Sequence, residues 1–149
     1  MVKKHLGFTL LEVLITITII SILTAVAAPS FIDFIKRDRL VTSSNQLHSV
    51  YKLARSEAIK RDQSVQLEAS QSQWLVKTQV GTSQETLTTF TPTHQSITVE
   101  LTTITISNTG ELNNTFEYLV TDNDTSTTDF KLCLLQSGQS WIVEGAQTC

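Results

Sequence analysis

The hydrophobic and polar positions divide the chain into three zones, of which the first is the most distinct. Residues 8–32 carry a single charge, Glu12, and residues 13–32 form an uninterrupted run of twenty uncharged positions. At a rise of 1.5 Å per residue, twenty residues make about 30 Å of helix, the thickness of a bilayer's hydrocarbon core. Residues 14–20 alternate β-branched side chains as a strand would, but a lone strand cannot satisfy its backbone in lipid. We therefore predict a membrane-spanning helix.

The second zone predicts a helix that continues beyond Pro29. Its apolar residues recur three, four or seven apart, and such a stripe is typical of a helix packed on its own domain. Glu57 and Arg61 are ordered correctly for an ion pair between residues four apart, and residues 62–64 predict the end of the helix. The basic side chains are expected on a side that faces solvent or partner molecules. The apolar stripe comprises Leu40, Leu47, Val50, Tyr51, Ala54 and Ala58, and the basic side comprises Lys52, Arg55, Lys60 and Arg61.

The third zone is rich in threonine and predicts strands separated by turns. Asn108-Thr109-Gly110 and Ser137-Gly138 read as tight turns, and Pro92 falls in a loop. The expected fold class is α+β, with the long N-terminal helix packed on a small antiparallel sheet. The predicted strands are residues 65–68, 74–80, 97–107, 116–120, 130–135 and 140–144.

Charge follows the same three zones. The whole chain has a formal net charge of −3, but residues 33–61 hold seven basic and three acidic groups, a net charge of +4. Residues 62–149 hold two lysines and ten acidic groups, a net charge of −8. A membrane-like segment, a basic segment and an acidic domain do not fit a plain cytosolic globule.

The two cysteines, Cys133 and Cys149, lie close to the C-terminus. In a chain that carries an export or membrane signal, such a pair favours a disulfide, although two buried free thiols remain the alternative. Closing a loop of this size would stabilise the domain by about 3 kcal/mol in the chain-entropy description.

The start of the apolar zone has two possible interpretations. A secretory signal peptide could end at Ala25-Val26-Ala27, but its basic leader would be very short, and Glu12 would lie inside the apolar run. An acidic residue within a bilayer costs roughly 3 kcal/mol unless it is neutralised. The other interpretation follows from Gly7-Phe8-Thr9-Leu10-Leu11-Glu12, which resembles the type IV prepilin signature.

This resemblance implies a role for four residues. A membrane-embedded prepilin peptidase would cleave after Gly7 and methylate the new N-terminus at Phe8. Glu12 would be the assembly residue, pairing with the α-amino group of a neighbouring subunit, and the alternative is a tolerated membrane carboxylate with no such role. Pro29 stands where pilin helices commonly carry a helix-bending proline.

Residues 53–61 read Leu-Ala-Arg-Ser-Glu-Ala-Ile-Lys-Arg and resemble the GspH/FimT branch of minor pilins and pseudopilins. The resemblance implies a leader at residues 1–7, a membrane and filament-core helix at 8–28, an amphipathic continuation at 29–62 and a periplasmic head at 63–149. It also implies a place in the bacterial inner membrane and then in a type IV pilus or type II secretion pseudopilus. The partners would be prepilin peptidase and other filament subunits. The positions of Lys3 and Lys4 favour a cytoplasmic N-terminus.

Other chemistry finds little support in the sequence. No grouping of Ser, His, Cys and acidic residues indicates an enzyme, and no cofactor motif is present. Asp122, Asp124 and Asp129 resemble a calcium loop only loosely, because the glycine and distal glutamate of an EF-hand are missing. Some FimT-type pilins bind DNA through a C-terminal arginine motif, but residues 145–148 here contain no arginine. Nucleic acid is therefore an unfavoured partner of the acidic head.

Overall fold

The computed structural model describes residues 7–81 and 83–149, so the rest of the predicted leader, residues 1–6, lies outside the described part. One α-helix, α1, runs from Leu10 to Arg61 over 52 residues. Within the described residues eight β-strands follow it, which confirms the predicted α+β fold with a long N-terminal helix. The chain divides after Ile35 into two compact units, of which the second, residues 36–149, contains all the strands.

The strands form two four-stranded antiparallel sheets. Sheet one has the order β3-β2-β1-β5, and sheet two has the order β4-β6-β7-β8. The strand bounds are β1 Val65–Ser70, β2 Gln73–Val80, β3 Ser83–Phe90, β4 Thr98–Val99, β5 Ile104–Ile106, β6 Phe116–Thr121, β7 Phe130–Leu134 and β8 Ser140–Glu144.

Two features of the sheets differ from the sequence-based prediction. Strand β3 was not predicted, and the predicted strand 97–107 is wrong because it is divided into β4 and β5, which belong to different sheets. Between them the chain crosses from one sheet to the other. The Thr102 carbonyl accepts a hydrogen bond from Trp74 Nε1 at 2.9 Å, and the Thr103 hydroxyl accepts one from the backbone N–H of Ala69 at 3.0 Å. The two hydrogen bonds therefore attach the segment that crosses between the sheets to strands β1 and β2.

The predicted apolar stripe of the helix is confirmed as the helical side of the core. All six of its members are buried, and they pack in one cluster with the inner faces of both sheets. Trp74 and Tyr118 meet edge to face there, with ring centroids 4.8 Å apart. Burial raises the pKa of Tyr118 to about 12, and its hydroxyl pairs with that of Thr102 at 2.8 Å.

The helix ends in a Schellman arrangement at its predicted terminus. Asp62 has the left-handed conformation, with φ of 51°, and its N–H donates to the Ile59 carbonyl at 3.3 Å. The N–H of Gln63 donates to the Ala58 carbonyl at 3.1 Å, which completes the pattern. Asp62 also accepts a hydrogen bond from Asn108 Nδ2 at 2.8 Å. This bond holds the aspartate side chain at a left-handed position where glycine is the more usual residue.

Candidate functional site

The N-terminal part of α1 presents apolar side chains around its whole circumference. This is the one helix in the described part of the chain that is long and apolar enough to cross a membrane, with a mean hydropathy of 2.4 over its most apolar window. None of that window is buried within the chain. Apolar surface of this extent requires an apolar environment. The large exposed side chains are Phe8, Leu10, Leu11, Val13, Leu14, Ile15, Ile17, Ile19, Ile20, Ile22, Leu23, Val26, Phe31, Ile32 and Phe34.

Four hydroxyl groups of this segment are satisfied within the helix itself. Each donates to a carbonyl oxygen three or four residues earlier, at distances of 2.7 to 2.8 Å. A hydroxyl bonded in this way places no unsatisfied polar group in an apolar environment. The Thr alternation that imitates a strand in the sequence is therefore compatible with a helix in lipid. The four residues are Thr16, Thr18, Ser21 and Thr24.

Gly7 and Phe8 precede the helix in an exposed, irregular segment. A Cβ atom built on Gly7 would meet no atom within 4 Å, and Gly7 is not in the left-handed region. The fold therefore imposes no requirement for glycine here. The side chain of Phe8 is 83% exposed and is likewise without a packing role in the chain.

Glu12 lies in the first turn of α1, and Thr9 caps that turn. The Thr9 hydroxyl accepts a hydrogen bond from the Glu12 N–H at 3.2 Å, and the Thr9 carbonyl accepts one from the Val13 N–H at 3.3 Å. Thr9 and Glu12 stand at the spacing of a capping box, a Thr-x-x-Glu signal that sequence reasoning missed. The Glu12 side chain is exposed on the apolar surface.

Pro29 lies inside α1, which is assigned as helical across it. Proline lacks an N–H, so it cannot bond the carbonyl four residues earlier. The bend attributed to Pro29 stays a prediction.

The second unit is held together where α1 meets two turns of the sheets. Tyr51 donates to the Gly138 carbonyl at 3.1 Å, and Arg55 Nε donates to the Gly110 carbonyl at 2.9 Å. One turn earlier, His48 Nε2 lies 2.9 Å from the Ser140 hydroxyl. Burial lowers the pKa of His48, and nearby Lys52 lowers it further. Arg55, which was expected on a solvated or filament-facing side, is partly buried and also holds a turn.

The acidic loop between β6 and β7 is organised by its own hydroxyl groups and by the helix. Asp124 forms an ion pair with Lys36 at 2.7 Å, and its other oxygen accepts hydrogen bonds from the N–H and hydroxyl of Ser126. The Lys36 ammonium and these bonds hold the pKa of the Asp124 carboxyl well below its usual range. Within residues 7–81 and 83–149, no group of three His, Cys or acidic side chains could hold a metal ion. The loosely calcium-like Asp122, Asp124 and Asp129 thus do not converge on one site.

Cys133 and Cys149 form a disulfide, with their Cα atoms 5.6 Å apart, which confirms the predicted pairing. Cys133 lies in β7, and Cys149 follows β8, the edge strand of sheet two. The bond therefore ties the end of the chain back across an edge strand that has only one neighbour.

We expect loss of this bond to lower the stability of the second unit. The cysteines are 16 positions apart, and removing a cross-link over such a loop costs about 3 kcal/mol in the chain-entropy description. Thermal unfolding of the Cys133→Ala/Cys149→Ala variant should show this loss. Reductant should lower the midpoint of the wild type but leave that of the double variant unchanged. An unchanged midpoint in the double variant would contradict the stabilising role.

These features define a class of protein. An exposed apolar helix, whose hydroxyl groups bond to its own backbone and which continues into a compact α+β domain, is the architecture of a pilin-like filament subunit. A sequence profile described as Type II transport protein GspH matches residues 43–146, more than half of the chain, and the chain belongs to this family. A profile described as Prokaryotic N-terminal methylation motif matches residues 2–28. The chain is accordingly a minor pilin or pseudopilin of the GspH type, a family of structural subunits.

Solved structures show the same fold. A crystal structure of the type IV minor pilin FimU from Pseudomonas aeruginosa strain PAO1 matches with a TM-score of 0.63 at 16% identity, covering 74% of this chain and 92% of that chain. A second crystal form of FimU matches with a TM-score of 0.58 at 16% identity, covering 70% and 92%. A comparison with curated protein sequences found no match.

Proposed function

We propose that this minor pilin or pseudopilin is inserted in the bacterial inner membrane with its head in the periplasm, cleaved between Gly7 and Phe8, and recruited into a filament through Glu12. Residues 8–28 serve as the membrane and filament-core segment, residues 29–62 as the helical continuation and residues 63–149 as the head. As a minor subunit it primes or caps a type IV pilus or a type II secretion pseudopilus.

The observation that carries this proposal is Glu12 on the otherwise uncharged apolar segment of α1. Residues 7–32 contain no other charged group, and the helix side chains around Glu12 are exposed. A carboxylate in that position is costly in a bilayer unless a cation neutralises it. Cleavage after Gly7 would create a cationic α-amino group at Phe8, so a neighbouring processed subunit supplies a partner for Glu12. The attraction is strong because the surroundings have a low dielectric constant.

Gly7 supports the processing step for a separate reason. The fold has room for a larger side chain at Gly7 and no left-handed backbone that would demand glycine. A requirement for glycine at this position would therefore come from the peptidase and not from folding.

We expect Gly7→Leu protein to accumulate in the membrane uncleaved and unmethylated. N-terminal sequencing and mass determination check this result. The matched control is Gly81→Leu, which alters an exposed glycine of the head and should leave cleavage intact. Finding Phe8 as the first residue of Gly7→Leu protein would contradict the proposed processing site.

The experiment that tests the proposed function is recovery of the chain in sheared filaments of cells that produce it. The proposal expects the processed chain there in small amounts relative to the main subunit. No observation in the structure favours the alternative of DNA uptake over this structural role.

A further inference from the structure

A groove lies in the second unit between α1 and the start of β8. Its volume is about 520 Å³, within the range of roughly 300–1,000 Å³ typical of ligand-binding clefts. The helix contributes side chains spaced three or four apart, which places them on one face. The opposite wall is the turn before β8 and the half-buried Trp141. The lining residues are Lys52, Arg55, Ser56, Ile59, Gly138, Gln139, Ser140 and Trp141.

The two cations of this groove differ from most other cations of the second unit. Lys36, Lys60, Arg61, Lys77 and Lys131 each form an ion pair with a carboxylate of the chain. In the described part of the chain, Lys52 and Arg55 form no ion pair, a property that they share with the helical residues Arg37 and Arg39. Arg55 bonds only backbone carbonyls, those of Gly110 at 2.9 Å and Ser137 at 3.5 Å. The groove therefore holds two positive charges without a carboxylate.

Apolar surface lies beside these charges. The side chain of Ile59 is 49% exposed, and Trp141 forms part of the same wall. Cations next to an exposed aliphatic group and an aromatic ring suit a ligand that combines a carboxylate with an apolar side chain. Aromatic residues and arginine are also enriched at the centres of protein interfaces.

Charge decides between a protein segment and a nucleic acid as the occupant. Residues 62–149 carry a net charge of −8, and screening at physiological salt acts over about 8 Å. These residues form the wall of the groove opposite α1, so a long polyanion would gain the attraction of two cations and meet the net negative charge of that wall's domain. One or two carboxylates on a protein segment can be confined to the groove, so the charges favour a protein partner.

We propose that this groove, which we call the Lys52 groove, receives a carboxylate-bearing segment of a companion filament subunit. This inference rests on the proposed function, because the companion is another subunit of the filament. The contact would be made by the second unit, residues 36–149, and would be additional to the pairing of Glu12 within the helical core.

The test is photo-crosslinking in cells that assemble the filament. A photoreactive benzoylphenylalanine replaces Ser56, an exposed residue of the groove, and sheared filaments are collected after irradiation. We expect a covalent adduct whose partner peptide, identified by mass spectrometry, belongs to another filament subunit and contains Asp or Glu.

Two charge reversals show whether the adduct depends on the groove. Lys52→Glu should lower the adduct yield about tenfold or more, because it replaces the cation by a repelling carboxylate. Lys60→Glu changes the net charge equally on the same helix outside the groove, and it should leave the yield unchanged. When the acidic residue of the crosslinked partner is changed to Lys, the Lys52→Glu chain should form the adduct again. A purely structural role of Lys52 would not give this rescue.

Three outcomes would overturn the inference. The first is a chain present in filaments at the normal ratio but without an adduct, or with one that is insensitive to Lys52→Glu. The second is an adduct that nuclease digests, which would identify the groove as a nucleic-acid site. The third is absence of the wild-type chain from sheared filaments, which would remove the proposed function and with it this inference, whereas the first two leave that function standing.

Discussion

Glu12→Ala protein is expected to be inserted and cleaved normally but to be scarce in sheared filaments. Removing one partner of a desolvated ion pair typically costs 3–5 kcal/mol, which corresponds to roughly 10²- to 10³-fold or more in subunit association. The contribution of Glu12 to its own helix is smaller, because a carboxylate in the first turn is worth about 0.3–1 kcal/mol. Immunoblots of membrane and sheared fractions, each normalised to the main subunit, measure the effect.

The matched control is Thr18→Ala in the same apolar segment. The Thr18 hydroxyl bonds the Leu14 carbonyl of its own helix at 2.7 Å, so its loss should leave incorporation unchanged. Recovery of Glu12→Ala protein in filaments at the wild-type ratio would contradict an assembly role and leave Glu12 as a feature that the peptidase recognises.

The largest effect on folding is expected from Gly138→Ala. Gly138 has φ of +80°, and a Cβ atom there would lie 2.0 Å from the Gly110 carbonyl oxygen and 2.4 Å from Arg55 Nε. A backbone oxygen at that distance must move, and it is the same oxygen that accepts the Arg55 hydrogen bond. Overpacking typically costs 1–3 kcal/mol and the left-handed conformation 1–2 kcal/mol, so we expect a loss of roughly 2–5 kcal/mol.

Gly81→Ala is the control that separates strain from packing. Gly81 also has a left-handed backbone, with φ of +62°, but a Cβ atom there would meet nothing within 4 Å. Its cost should be limited to about 1–2 kcal/mol of backbone strain. Thermal unfolding of both variants as the segment of residues 36–149, followed by circular dichroism, gives the comparison. Equal midpoints for the two variants would contradict a packing role for the turn at Gly138.

The helix and its buried stripe could be predicted because their signals are strong and local. Twenty uncharged residues fix the first segment, and the regular spacing of apolar residues fixes the face of the second. Most strands of the head were found for the same reason, since their alternating residues face a core. The turns at Gly110 and Gly138 were also predicted. Their packing against Arg55 was not, because a turn signal says nothing about the tertiary neighbours of the turn.

The errors have identifiable physical causes. Strand β3 is an edge strand with a single fully buried residue, Phe90, so burial left little alternation to detect. The sequence of the strand predicted at 97–107 does indicate that it is divided. The buried apolar residues fall at odd numbers in its first half, Ile97 and Val99, and at even numbers in its second half, Ile104 and Ile106. A change of phase moves side chains to the other face of a strand, which marks a break. The capping role of Thr9 could have been predicted from the Thr-x-x-Glu spacing. It was missed because the long apolar run was the stronger signal in this segment.

The mature N-terminus of filament-associated protein shows most directly whether the chain is a processed subunit of a filament. Intact-mass and N-terminal peptide measurements on sheared filaments should find a chain that begins at methylated Phe8 and retains the whole apolar helix. A mature protein that begins after Ala27 and occurs free of filaments would contradict this role, because it would identify the apolar segment as a removed secretory signal.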